Sequence, residues 1–199
     1  MDMPFDALSD VSDEALLVLY ANGDRAAARV LTMRLTPRVL GYATRILGGD
    51  RAEAEDVAQE AMLRLWRIAP DWRQGEAQVS TWLYRVATNL CTDRLRRSQR
   101  WRTAPLGDAP ETADSAPGVV SELIDADRMA ALEAGLALLP DRQRQAVVLR
   151  HIEGLTNPEI AAVMDIGVEA VESLTARGKR ALAAQLSGRR ADLGYEEGT

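Results

Sequence analysis

Side chains suited to covalent or acid–base chemistry are scarce in this chain. Its 199 residues include one histidine, His151, and one cysteine, Cys91. A metal cluster containing histidine, or a Ser-His-Asp site, would have to be built from that one imidazole. One cysteine rules out an intramolecular disulfide framework and a multi-cysteine zinc site. No phosphate loop, dinucleotide fingerprint or zincin motif occurs. Acid pairs such as Glu55-Asp56 are abundant, but on helix surfaces such pairs are usually solvated charges. The expectation is a protein with no catalytic residues, no metal and no cofactor.

What remains is the chemistry of contact. Five arginines (94, 96, 97, 100 and 102) lie between Arg94 and Arg102 with no acid among them, and five bases lie between Arg177 and Arg190, again without an acid. Between these patches, Gly107 to Glu133 holds seven acids against one base, Arg128. The net charge of −6 therefore hides two basic patches separated by an acidic stretch. Such a chain can hold DNA at two places yet bind it poorly alone.

These groups must be carried by helices. Hydrophobic residues make up 47% of the chain, enough for real cores, and Ala and Leu dominate while aromatics are sparse. The apolar runs are too short to span a bilayer, and the acidic start MDMPFDALSD lacks the order of a signal peptide. A cytoplasmic protein without membrane insertion is expected. The stretch Thr103 to Pro117, with Pro105, Pro110 and Pro117 and no apolar periodicity, reads as a flexible linker. The chain is thus expected to be all-α, with two small helical domains, 1–102 and 118–199, joined by a linker at 103–117. Helices are expected near 13–22, 24–47, 51–69 and 80–99, then near 119–138, 141–152, 157–164 and 168–186. Asp24 and Asp50 suit N-caps, Gly48-Gly49 a stop, and Thr156 to Glu159 a capping box. Pro37 is expected to break or kink the second helix.

Three helices carry informative faces. In Glu53 to Arg67, Ala54, Val57, Ala58, Ala61, Met62 and Leu65 form a core stripe at helical period. Asp56, Gln59 and Glu60 lie opposite, with Leu63 among them. One stray exposed leucine is ordinary, but an apolar anchor ringed by acids and an amide also describes a partner surface. In Ser80 to Ser98, Leu83, Val86, Ala87, Leu90, Cys91 and Leu95 face the core. Arg85, Thr88, Asn89, Thr92 and Arg96 form a polar stripe bordered by Trp82. Arginines hold phosphates, amides and hydroxyls read base edges, and indoles stack on unpaired bases. A solvated face with tryptophans in the core is the plainer alternative. In the helix from Val168, Val171, Leu174, Gly178, Ala181 and Leu182 face inward. Glu169, Glu172, Ser173, Ala176, Lys179 and Arg180 face outward, with Arg177 at the edge. The short helix before it, the turn Asp165-Ile166-Gly167 and this helix make a helix-turn-helix pattern, whose second helix would enter the major groove.

The segments AEDVAQEAMLRLW, STWLYRVATNLCTDRLRR and LPDRQRQAVVLRHIEGLTNPEIAAVMDIGVEAVESLTARGKRAL, in this order, resemble the extracytoplasmic-function group of the sigma-70 family. They are similar to its polymerase-binding helix, its −10 recognition and melting segment, and its −35 helix-turn-helix. The likeness covers about Asp13 to Leu186. It implies an alternative sigma factor that binds RNA polymerase core through the clamp of the largest subunit and the flap, engages promoter DNA, and is restrained by an anti-sigma protein. Residue by residue, Asp56, Gln59 and Glu60 match polar positions of the core-binding helix, Asn89, Asp93, Arg96 and Arg97 match the −10 segment, and Ser173 and Arg177 match the −35 reading helix. Taken with the outward faces, the expected polymerase contacts are Asp56, Gln59, Glu60 and Leu63, and the expected −10 contacts are Trp82, Arg85, Thr88, Asn89, Arg96 and Arg97. The expected −35 contacts are Glu172, Ser173, Ala176, Arg177, Lys179 and Arg180. This chain departs from the family pattern where Glu172 replaces a basic residue, Leu174 an arginine, and Asp165 the usual turn glycine. The competing reading is a stand-alone helix-turn-helix regulator, which leaves the faces of the first two helices unexplained.

Overall fold

The computed structural model describes residues 8–73, 75, 78–103 and 120–187, with side chains described to residue 100 and from 127 onward in the segments flanking the 104–119 gap. Among them are eight α-helices and no strand. They are α1 Asp13–Ala21, α2 Arg25–Ile46, α3 Arg51–Ile68, α4 Val79–Thr103, α5 Val120–Ala137, α6 Asp141–His151, α7 Asn157–Met164 and α8 Val168–Ser187. A 3-10 turn, Ala69–Asp71, follows α3. Most of the linker expected at 103–117 lies outside the described residues; its first residue, Thr103, is the last of α4.

The caps behave as their chemistry requires. Asp24 accepts from the backbone N–H groups of Ala26 (2.8 Å) and Ala27 (3.2 Å), and Asp50 from that of Glu53 (3.1 Å). Ser12 caps α1. At α7 the Glu159 carboxylate accepts from the Thr156 backbone N–H at 2.7 Å, completing the expected capping box. Pro37 does not break α2, which runs through it. The carbonyl that Pro37 leaves unpaired is that of Met33, four residues back. Met33 lies on the exposed side of the helix, 59% accessible, where water can take over that bond.

The first half packs α2 against α1, α3 and α4 around Leu31, Leu35, Val39, Tyr42, Val57, Leu65 and Leu83. Arg34 ties down the segment before α1, donating to the Val11 carbonyl (2.7 Å) and to Asp13 (3.1 Å). Glu14 of α1 accepts from the Val79 backbone N–H at 3.2 Å, anchoring the start of α4. The second half packs α8 across α5, α6 and α7. Gly178 lets α8 lie directly on α6: a Cβ there would sit 2.6 Å from Val147 Cγ2.

The halves are not separate in this structure. Their buried apolar residues merge into one cluster, with α4 against α7 and α2 against α5 and α6. Six successive residues of α6, Arg144 to Leu149, are all buried. A helix buried on every side must be covered from more than one direction. Here α8 covers one face of α6 and the first half covers the other.

Candidate partner groove and nucleic-acid faces

The α3 surface opens into an apolar groove of about 320 Å³ between α2 and α3. Gln59 and Leu63 line it, together with Leu40, Met62 and Trp66. Leu63 is 42% exposed despite this company. Trp66 is held by Tyr20, with ring centroids 4.7 Å apart. Asp56 and Glu60 do not line the groove but stand on the same helix. Asp56 is exposed. Glu60 pairs with Arg64 at 2.8 Å, and that hydrogen bond holds its carboxyl below the usual range. Sequence periodicity identified the α3 side of this groove. The contribution of α2 was missed, because nothing local says which helix lies alongside.

On α4 the expected stripe divides. Arg85, Asn89, Arg96 and Arg97 are exposed. Thr88 is not: it is 4% exposed, and its hydroxyl shares a 2.7 Å hydrogen bond with the Tyr42 hydroxyl. The expectation that Thr88 faces DNA is therefore corrected, since in this fold it faces α2. Thr92 donates to the Thr88 carbonyl at 2.8 Å and accepts from Gln145 Nε2 of α6 at 3.2 Å. Asn89 and Arg96 line a polar cleft of about 670 Å³ whose other wall holds Asp141, Arg142, Gln145 and Met164. Arg85 lies outside that cleft. Trp82 is half-buried and meets Trp72 edge-on, centroids 6.2 Å apart. Arg94 braces α4 against α3 through Glu53, at 2.5 Å. Cys91 is fully buried, as its core position requires, and burial pushes its thiol up to about 12.

The helix-turn-helix forms as expected. Asp165 ends α7 in the left-handed conformation, φ 52°, where glycine would be usual. Aspartate tolerates this region better than most residues, which explains how the chain dispenses with that glycine. Gly167 needs no positive φ. On α8, Glu172, Ser173, Ala176, Arg177, Lys179 and Arg180 are all exposed. Arg177 Nε donates to the Ser173 carbonyl (3.3 Å) and Arg180 Nε to that of Ala176 (3.4 Å), so both lie along their own helix. Glu172 accepts from Asn157 Nδ2 at 3.4 Å. Its neighbour in the structure is an amide at the start of α7, rather than the arginine or lysine that simple charge pairing would supply. His151 is exposed beside Lys179 and Arg150. Partial burial, then these two cations, lower its pKa.

Among the described residues no group of three His, Cys, Asp or Glu side chains could hold a metal ion, and no helix is long and apolar enough to cross a membrane. The geometry is that of an all-helical helix-turn-helix protein with a separate exposed apolar groove. Residues 31–102 match the family model for sigma-70 region 2, and residues 129–182 the model for sigma-70 region 4. The chain is 35% identical over 172 residues to the ECF RNA polymerase sigma factor SigM of Mycobacterium tuberculosis strain H37Rv, covering 86% of this chain and 83% of that one. It is 31% identical over 185 residues to the RNA polymerase sigma-H factor of Pseudomonas aeruginosa, covering 88% and 94%. Among solved structures, CnrH in complex with the cytosolic domain of CnrY matches with a TM-score of 0.63 and 26% identity, over 88% of this chain and 97% of that chain. RpoE of Bartonella quintana, solved with the anti-sigma factor NepR, matches the fold with a TM-score of 0.63 at 18% identity, over 78% and 94%. The chain belongs to the extracytoplasmic-function group of the sigma-70 family.

Proposed function

We propose that this chain acts as an alternative sigma factor, joining RNA polymerase core and directing it to promoters. The observation that carries this reading is the groove at Leu63. An exposed leucine set among Leu40, Met62 and Trp66 is an apolar surface that no described residue of this chain covers, and it lies within the stretch that matches region 2. A helix-turn-helix that works alone on an operator has no use for such a surface.

In this reading Leu63 and Gln59 seat against the clamp of the largest polymerase subunit, with Asp56 and Glu60 forming a polar rim. Asn89 reads the −10 element, Arg85, Arg96 and Arg97 hold the backbone, and Trp82 lies beside the unpaired strand. The outward face of α8 enters the −35 major groove, with Arg177, Lys179 and Arg180 on phosphates and Glu172, Ser173 and Ala176 nearest the bases. The domains divide as 1–102 and 118–199 with the linker at 103–117, and the second domain also meets the polymerase flap. An anti-sigma protein is a further partner, as it is for the solved relative bound to NepR. Polymerase and chromosomal DNA as partners put the chain in the cytoplasm. No step of this function needs a catalytic side chain or cofactor.

Specific DNA binding with and without core polymerase tests the reading. A sigma factor gains promoter specificity and run-off transcription only with core. Full operator-like affinity without core, and no co-purification with it, would establish the stand-alone regulator instead.

A further inference from the structure

The α2–α3 groove and the outward face of α8 belong to the function already proposed. His151 does not, although it stands at the edge of that face. The packing that puts it there runs through Gly178. Because this residue has no side chain, α8 lies directly on α6, with Val147 in the space a Cβ would need. One turn beyond Val147, α6 ends at His151. One residue beyond Gly178, α8 presents the exposed Lys179. The contact that builds the helix-turn-helix thus sets an imidazole beside one of the cations assigned to promoter phosphates.

The surroundings of His151 are cationic. Lys179 acts on it from α8 and Arg150 from its own helix. Arg150 is fixed there, its Nη1 donating to the Leu155 carbonyl at 2.9 Å. Glu153, two residues on, is turned to Tyr84 instead. Among the described residues, α2 and α7, which also pack on α6, bring no charged group that shifts the ring. In the free chain, partial burial and the two cations hold the imidazole below its ordinary range, so it is neutral near pH 7.

DNA inverts this field. Phosphates drawn to Lys179 cancel the repulsion and bring negative charge within reach of the ring, which favours its protonated form. The C-terminus of α6 contributes the negative end of a helix dipole in the same direction.

We propose that His151 is a further contact to the phosphates flanking the −35 element, and that it takes up a proton as the chain binds the promoter. The inference rests on the sigma reading, because its phosphate comes from the placement of α8 in the −35 groove. The consequence is a promoter affinity that depends on pH. A histidine whose pKa rises on binding adds affinity that is complete below the free pKa and is lost as pH rises through the bound one. Acidification therefore tightens promoter engagement, through the single histidine of the chain.

The test measures promoter affinity of holoenzyme, made with the full chain, from about pH 8 to about pH 6 at fixed salt. Core polymerase brings ionisable groups of its own, so the quantity read is the ratio of wild type to His151→Gln on the same core. That ratio should grow about fivefold from the alkaline to the acid end, within the tenfold per pH unit that one proton allows. At the acid end the wild-type log–log salt slope should be steeper by up to about 0.9, the share of one phosphate contact. His151→Arg should keep the acid-end affinity throughout. On a promoter fragment that stops downstream of the −35 element, the pH-dependent ratio should vanish. His151 is exposed, so the variants should match wild type in melting temperature. Parallel pH profiles for wild type and His151→Gln overturn the proposal, and so does a pH-dependent ratio that persists on the truncated fragment. Failure of the sigma reading looks different: none of the three proteins would show core-dependent promoter binding at any pH.

Discussion

Tyr84 of α4 donates its hydroxyl to Glu153, 69 residues away in the other half of the chain. Burial, and then this hydrogen bond to a carboxylate, hold the Tyr84 phenol above its ordinary pKa. With Tyr42 and Cys91 it makes a set of groups whose neutral forms the fold protects.

That set gives the protein an alkaline limit. Each group has a folded pKa above its unfolded value, so its contribution is complete below the unfolded pKa and is lost as pH rises towards the folded one. For Cys91 the window runs from about 9.0 to about 12. Denaturant midpoints should fall as pH rises through this window. Cys91→Ala should lower stability at neutral pH but flatten the alkaline slope. An unchanged slope would remove Cys91 from the account.

Leu63→Glu should separate partner binding from folding. The side chain is 42% exposed, so the melting temperature should hold nearly constant. Core polymerase affinity should fall by about 1–3 kcal/mol, the range for an interface anchor. Equal affinity in a folded variant would sink the assignment of the groove.

On α4, buried and exposed polar residues should answer differently. Thr88→Val leaves the buried Tyr42 hydroxyl without its partner and should cost about 1–3 kcal/mol of stability. Asn89→Ala should leave stability intact and change −10 preference in holoenzyme. Arg96→Ala should weaken binding evenly across sequences and reduce the log–log salt slope by about 0.7–0.9. Sequence-specific loss from Arg96→Ala would reverse these two roles.

Packing at the helix-turn-helix is equally exposed to test. Gly178→Val drives a side chain into Val147 and should cost about 1–3 kcal/mol through overpacking. Asp165→Val places a β-branched residue at φ 52° and should cost about 1–2 kcal/mol, whereas Asp165→Gly should be tolerated. Thermal unfolding of the three proteins orders them. A fully stable Asp165→Val would show that the turn can re-form elsewhere.

Glu172 is the most informative departure from the family pattern. A carboxylate facing DNA is repelled by phosphate unless a base amino group donates to it, and cytosine is the natural donor. Its Asn157 neighbour is an amide and does not neutralise the charge. Glu172→Gln, tested in holoenzyme on a randomised −35 library, should shift preference at one position by about 1–3 kcal/mol. A profile identical to wild type would mean that Glu172 reads nothing.

The helices, their caps and the composition of the outward faces of α3 and α8 were legible in the residues themselves. These features depend on short-range chemistry: an aspartate reaching the second or third backbone N–H after it, or apolar residues recurring every three to four positions. Asp24, Asp50 and Leu63 could be placed on that basis alone. The path of α2 through Pro37 could not, because it depends on which side of the helix water reaches. Nor could Thr88, which looks like its neighbours Asn89 and Thr92 until Tyr42 arrives from a helix 46 residues away. Arg144 and Gln145 are polar side chains at the start of an otherwise ordinary helix, and nothing in their own segment requires them to be buried. Their burial comes from the other half of the chain packing over α6, a contact between residues far apart in the sequence that no local pattern announces.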